Sequence, residues 1–166
     1  PNGAWKGHMR QAFEYIALAV DEIYERQAAE IVKDPWELRH RFIHVMQGQI
    51  SLEDLASDMA GRHIEREDVE RMNLLLNAQN ERQRMFTSCG WFFEDFDRIE
   101  PRNAVAYAAQ AIWLTQVATG IDLSAKASTW LRAVKSWRSE TSADTVFGNP
   151  LERARQNPAM AMKYKP

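Results

Sequence analysis

The chain has 166 residues, 45% of them hydrophobic, and a formal net charge of −2, values typical of one globular domain with its own core. The near-neutral balance of 21 Lys and Arg against 23 Asp and Glu disfavours nucleic acid as a main partner. No apolar run is long enough to span a bilayer, so we expect no membrane partner. Cys89 has no second cysteine to pair with, which predicts a cytoplasmic protein and a small buried residue at this position. The abrupt start at Pro1, without Met, suggests a piece cut from a longer protein.

Apolar residues recur three or four positions apart along most of the chain, which predicts helices. The first helix is predicted over residues 5–32 and would be about 40 Å long. Asp34 can cap a second helix that opens with Pro35 and ends near Gly48. Ser51 begins a short third helix that stops near Gly61.

The second half of the chain continues the same pattern. A fourth helix is predicted from about residue 66 through residue 86, with Gly90 as the residue that breaks or kinks it. Pro101 opens a fifth helix that ends at Gly120, and a sixth covers about residues 123–137. Since no segment alternates with period two, the predicted fold class is all-α, a bundle or array of about six helices. Residues 1–140 form the predicted helical domain, and residues 141–166 an irregular tail with at most a short helix at 151–156.

Two histidines of the second helix, His40 and His44, are four residues apart, a spacing that can bind a metal. Their basic neighbours Arg39 and Arg41 oppose a cation, so we favour a solvated helix face with no metal and no cofactor. A bundle that binds a metal or haem stays open as a third hypothesis. The chain carries no nucleophile elbow, phosphate loop or dinucleotide fingerprint, which predicts no catalytic residue.

The segment over residues 85–97 concentrates aromatic side chains and carboxylates after Gly90. Trp91, next to this glycine, can turn its indole toward a cleft, where it would stack on an apolar face such as the C–H face of a sugar. The neighbouring Glu94 and Asp95 can accept hydrogen bonds from hydroxyls. Packing of this cluster in the core is the alternative that the residues leave open.

The string Thr87-Ser88-Cys89-Gly90-Trp91-Phe92-Phe93 resembles part of a domain of unknown function found C-terminal to a catalytic domain similar to glycoside hydrolase family fifty-seven. Residues 75–79 before it and residues 106–112 after it also resemble that domain, and the resemblance covers about residues 5–135. Asn77, Asn80 and Glu81 depart from the residues usual there, which would alter any site that those positions serve.

The resemblance implies an all-α accessory domain that packs on an N-terminal catalytic barrel and contributes to a cleft for α-glucans. The barrel would supply the two catalytic carboxylates, so we expect no hydrolysis by this chain alone. The residues implied for substrate binding are Ser88, Trp91, Glu94 and Asp95. The alternative is a structural or protein-interaction module without a ligand. Exposure of Trp91 distinguishes the two, since a ring that lines a cleft favours sugar and a fully buried ring favours packing.

Overall fold

The computed structural model describes residues 3–157 and 159, and this part of the chain is helical with no strand. The helices of these residues are α1 (Ala4–Ala29), α2 (Pro35–Met46), α3 (Leu52–Ala60), α4 (Arg66–Arg84), α5 (Ile99–Thr119), α6 (Ser124–Leu131) and α7 (Ala143–Gln156). A single 3-10 turn, Ser88–Trp91, lies between α4 and α5. The predicted all-α fold class is confirmed. None of the described helices is long and apolar enough to cross a bilayer.

The core lies where α5 packs between α4 and α7, with α1 laid across α4, α5 and α6. The buried side chains of α1 follow the predicted helical period, with Met9, Phe13, Ile16 and Val20 all buried. The buried face of α5 is rich in alanine, which lets neighbouring helices approach closely. Burial of these apolar faces, more than helix propensity, stabilises the helices.

Residues predicted to begin or end a helix are found at several of the observed helix ends. The Asp34 carboxylate accepts a hydrogen bond from the Glu37 N–H at 2.9 Å and so caps α2. Ser51 caps α3 in the same way. Gly61 and Gly120 follow α3 and α5 with φ of 66° and 76°, in the left-handed region that glycine adopts without strain.

Three predicted boundaries were wrong. Helix α1 ends at Ala29 rather than near residue 32, and α4 ends at Arg84, before Gly90. Helix α6 ends at Leu131 instead of near residue 137, because the chain then turns back on itself. The Ser136 N–H donates to the Thr141 carbonyl at 2.9 Å, and the Ala143 N–H donates to the Val134 carbonyl at 2.8 Å. These bonds form a tight loop over residues 134–142 in place of the last helical turn.

The region predicted to be an irregular tail contains α7, a helix of 14 residues with Pro150 inside it. Proline removes one backbone donor and disfavours a helix interior. Here Phe147, Leu151 and Ala154 are buried in the same core as α1 and α5, so burial outweighs the local cost. The prediction was wrong because the sequence Gly148-Asn149-Pro150 favours an irregular segment, whereas burial of α7 against distant helices stabilises a helix there. Residues 158 and 160–166 of the predicted tail lie outside the described residues.

Candidate functional site

The segment between α4 and α5 holds the residues that the sequence singled out. Gly90 lies against the start of α5, where an added Cβ would be 3.4 Å from the Ala104 Cβ and 3.7 Å from the Glu100 carbonyl oxygen. These are ordinary van der Waals distances, so the 3-10 turn lies directly against α5 at this position.

Trp91 is partly buried and packs on the core through its neighbour Phe13. The two ring centroids are 6.1 Å apart with an interplanar angle of 86°, an edge-to-face contact. Phe86 makes a similar contact with Phe13 at 6.0 Å. Trp91 is thus partly buried. Its contact with Phe13 anchors the segment to the core, and part of its surface remains accessible to solvent.

Asp95 is only 2% exposed, and its carboxylate is held by hydrogen bonds within the protein. It accepts from the Ser136 hydroxyl at 2.6 Å, from the Trp137 N–H at 3.1 Å and from the Phe96 N–H at 2.8 Å. The first two donors belong to the loop that follows α6. Asp95 therefore ties this loop to the α4–α5 segment, and its carboxylate is engaged by neutral donors.

Glu94, the neighbour of Asp95, has an exposed side chain whose carboxylate lies 3.7 Å from the Arg138 guanidinium. Its backbone carbonyl accepts a hydrogen bond from the Trp5 indole N–H at 3.1 Å, which ties the segment to the start of α1. Ser88, which begins the 3-10 turn, is exposed. Cys89 is also exposed, which corrects the prediction of a buried thiol. Within the 3-10 turn, Gly90 is buried, whereas Ser88 and Cys89 before it are exposed to solvent.

These contacts create a cleft of about 190 Å³, called here the junction cleft, lined by Phe93, Glu94, Asp95, Arg98 and Arg138. The lining contains two carboxylates and two guanidinium groups, so its formal charges balance. The Arg98 guanidinium lies 5.4 Å from the centroid of the Phe93 ring, a cation–π contact that holds this arginine against the wall.

Two exposed aromatic side chains adjoin the junction cleft along the chain. Phe92, next to Phe93, is 78% exposed, and Trp137, next to Arg138, is 50% exposed. The Arg138 guanidinium lies 4.8 Å from the centroid of the Trp137 ring. We call Phe92 and Trp137 the aromatic rim.

Arg98, Trp137 and Arg138 are not among the residues that the sequence predicts for the site. Trp137 and Arg138 stand more than 40 residues after Asp95 and reach it only through the bonds to the 134–142 loop. No motif or spacing in the sequence signals that pairing.

The histidine pair of α2 does not complete a metal site with other described residues. The His44 Nδ1 lies 2.7 Å from the Gln49 Oε1, within hydrogen-bonding distance. His40 faces a separate pocket between α2 and α4. Within residues 3–157, no group of three or more His, Cys, Asp or Glu side chains is close enough to hold a metal ion.

Comparison with known proteins adds one assignment. The model of a family described as "Domain of unknown function (DUF3536)" matches residues 2–160, nearly the whole chain. Neither the curated proteins nor the solved structures contain a significant match.

Proposed function

We propose, from the premise that the chain belongs to the DUF3536 family, that this helical domain is an accessory module that contacts carbohydrate beside a catalytic barrel. The observation that carries the proposal is a charged cleft whose lining residues Phe93 and Arg138 each have an exposed aromatic neighbour in the chain. Most of the cleft belongs to the segment whose sequence resembles the domain that follows such barrels. Exposed aromatic rings beside polar groups are a common feature of surfaces that bind a ligand or a partner.

The balanced charge of the junction cleft supports an uncharged ligand rich in hydroxyls. Glu94 can accept hydrogen bonds from sugar hydroxyls, while Arg98 and Arg138 can donate to their oxygens. A strongly charged ligand would meet one favourable and one unfavourable set of groups. An α-glucan offers both the hydroxyls that these groups need and C–H faces for aromatic rings.

The roles within the proposed site differ from residue to residue. Phe92 and Trp137 would stack on sugar rings, and Glu94, Arg98 and Arg138 would bind hydroxyls. Asp95 would act by holding the 134–142 loop in place, since its carboxylate already accepts three hydrogen bonds. Ser88 and Trp91, which belong to the 3-10 turn and do not line the junction cleft, would extend the contact toward the barrel.

The domain alone would not hydrolyse glucan in this proposal. Retaining glycosidases need two carboxylates about 5 Å apart, one of them free to act as nucleophile. Of the two acids in the cleft, Asp95 is buried and engaged by neutral donors. The catalytic pair would come from the barrel, and the domain would shape the mouth of its cleft.

The six tryptophans of the chain offer a direct experiment. Titration with maltoheptaose, followed through the indole N–H signals in ¹H–¹⁵N spectra, should shift Trp137 most, with a Kd on the order of 1 mM. The indole signals of Trp36, on α2, and of Trp113, which is buried in the core, should not shift. Phe92→Ala should weaken the response, whereas Leu18→Ala, which changes another exposed apolar residue on α1, should not. Absence of any shift would contradict carbohydrate contact and favour an interaction module without a ligand.

The barrel part of the proposal has its own test in the complete polypeptide that contains this domain. We expect a (β/α) barrel with two catalytic carboxylates in the same polypeptide, and glucan hydrolysis with a raised KM in the Phe92→Ala variant. A polypeptide without such a barrel would overturn this part. Hydrolysis with an unchanged KM in that variant would also contradict it, because the rim would then not contact substrate.

A further inference from the structure

A second cavity, of about 280 Å³, lies between α2 and α4, away from the junction cleft. We call it the α2–α4 pocket, and its lining residues are Arg39, His40, Phe42, Ile43, Met46, Leu76, Gln79, Asn80 and Gln83. Helix α2 contributes a guanidinium, an imidazole and three apolar side chains, and α4 contributes three amides and one apolar side chain. Its volume is at the small end of the range for ligand pockets, so it suits a molecule of one ring or less in extent.

The charge of this pocket is unbalanced. Among its lining residues the ionisable ones are Arg39 and His40, and no carboxylate joins them. Asp21, the nearest acid that acts on Arg39, is already held by Arg82 through bonds of 2.7 and 3.0 Å. In the described residues Arg39 makes no ion pair with a carboxylate. Asp21 offsets part of the charge of Arg39, but Arg82 shares that carboxylate, so two guanidinium groups face one acid and the pocket keeps a net positive charge.

The Arg39 guanidinium is fixed in place rather than free to leave the pocket. It lies 5.3 Å from the centroid of the Trp36 ring, and its Nε donates to the Gln83 side-chain carbonyl at 3.1 Å in the favourable amide orientation. Burial lowers the pKa of this guanidinium, and the charge of Asp21 works against that effect. A guanidinium has five N–H donors, so several remain to bind an oxyanion.

Gln79 adds a buried hydrogen-bond acceptor, a group that a site for a simple inorganic anion would not need. It is 1% exposed, and its Nε2 donates to the Asp21 carboxylate at 3.0 Å. Its Oε1 is buried without a hydrogen-bond partner in the described part of the chain. An unsatisfied buried carbonyl costs free energy that a donor from a ligand would recover. A hydroxyl is such a donor, and an anionic oxygen is not.

We propose that the α2–α4 pocket binds a small organic anion that also carries hydroxyls, such as a monosaccharide phosphate. Arg39 and His40 would bind the oxyanion, Asn80 would donate to it, and Gln79 would accept a hydrogen bond from a hydroxyl. Ile43 and Met46, two exposed residues of α2 that line the pocket, would contact the carbon skeleton of the ligand. This site is independent of the junction cleft, and its failure would leave the carbohydrate proposal untouched.

The test is calorimetric titration of the chain with glucose 1-phosphate, methyl phosphate, inorganic phosphate and glucose. Glucose 1-phosphate should bind saturably and about tenfold more tightly than methyl phosphate or inorganic phosphate, the gain expected from one further hydrogen bond. Glucose should not bind, because it lacks the charge. Equal affinity for methyl phosphate, which as a dianion at about pH 8 has no hydroxyl, would refute the hydroxyl contact, and no binding of any anion would overturn the site.

Variants separate a built site from general attraction to positive charge. Arg39→Gln should abolish binding, and Arg39→Lys, which keeps the charge but loses the planar fork, should weaken it about tenfold. Arg41→Gln removes the same charge two residues along α2 and should leave affinity unchanged, since Arg41 pairs with Asp58 outside the pocket. Equal losses in Arg39→Gln and Arg41→Gln would contradict the proposal. Circular dichroism and the intact binding of Arg39→Lys at high ligand concentration would show that the fold is retained.

Discussion

The α2–α4 pocket, of about 280 Å³, and the junction cleft, of about 190 Å³, differ in how their charges are arranged. The junction cleft has two acids facing two arginines, and one of those acids is used to fasten a distant loop. The α2–α4 pocket has a fixed guanidinium with no acid of its own. The comparison indicates that one domain can offer a neutral surface to a hydroxyl-rich polymer and a positive pocket to a small anion.

The largest effect should come from the acid that builds the junction cleft. Asp95→Ala would leave the buried Ser136 hydroxyl and two backbone N–H groups without an acceptor, so we expect a loss of about 3 kcal/mol in the free energy of unfolding. Glu94→Ala, one residue earlier and exposed, should cost less than about 0.5 kcal/mol. Urea denaturation of both variants measures the difference, and equal losses would show that Asp95 does not fasten the loop.

A smaller effect should come from the tie between α1 and the junction. Trp5→Phe removes the N–H that donates to the Glu94 carbonyl and leaves a gap beside Phe96, so we expect a loss of about 1–2 kcal/mol. The variant should also alter the Trp137 indole signal if the tie holds the cleft in shape. A Trp137 signal identical to wild type would restrict the role of Trp5 to core packing.

Salt should distinguish the two cavities. Raising the ionic strength from about 0.01 to 0.15 M shortens the screening length from about 30 to 8 Å and should weaken glucose 1-phosphate binding several-fold. Maltoheptaose binding should change little, because neither the sugar nor the junction cleft carries net charge. Parallel titrations at both salt concentrations measure this. A similar salt dependence for both ligands would break the comparison.

The smallest effect on stability should come from the aromatic rim. Phe92→Ala should change the free energy of unfolding by less than about 0.5 kcal/mol, because its ring is 78% exposed. Trp137→Ala removes a ring that is half covered by protein and should cost about 1 kcal/mol. The same variants should weaken maltoheptaose binding. A large loss of stability instead would mean that the rings support the fold, and the rim would then have no separate function.

The helices that bury a continuous apolar face were predictable from the sequence, because their period and their caps act locally. Asp34, Ser51 and Gly120 mark helix ends within a few residues of where the structure has them. The α7 helix was not predictable in this way, since Phe147 and Leu151 gain their stability from contact with helices far away in the chain.

The site was predictable only in part, for a related reason. The aromatic segment stood out by composition, and Glu94 and Asp95 do line a cleft. Which acid is buried and which is exposed depends on Ser136 and on Arg138, residues that no local pattern connects to them. The α2–α4 pocket was not predicted, because its lining comes from two helices and no local pattern indicates that they meet.

The most direct test of the account is a pair of titrations on one ¹⁵N-labelled sample, observed through the indole N–H signals. Maltoheptaose should move the Trp137 signal and leave Trp36 in place. Glucose 1-phosphate should move the Trp36 signal, whose ring contacts Arg39, and leave Trp137 in place. If both ligands moved the same signals, or if maltoheptaose moved none, the junction cleft would not be the carbohydrate surface proposed here.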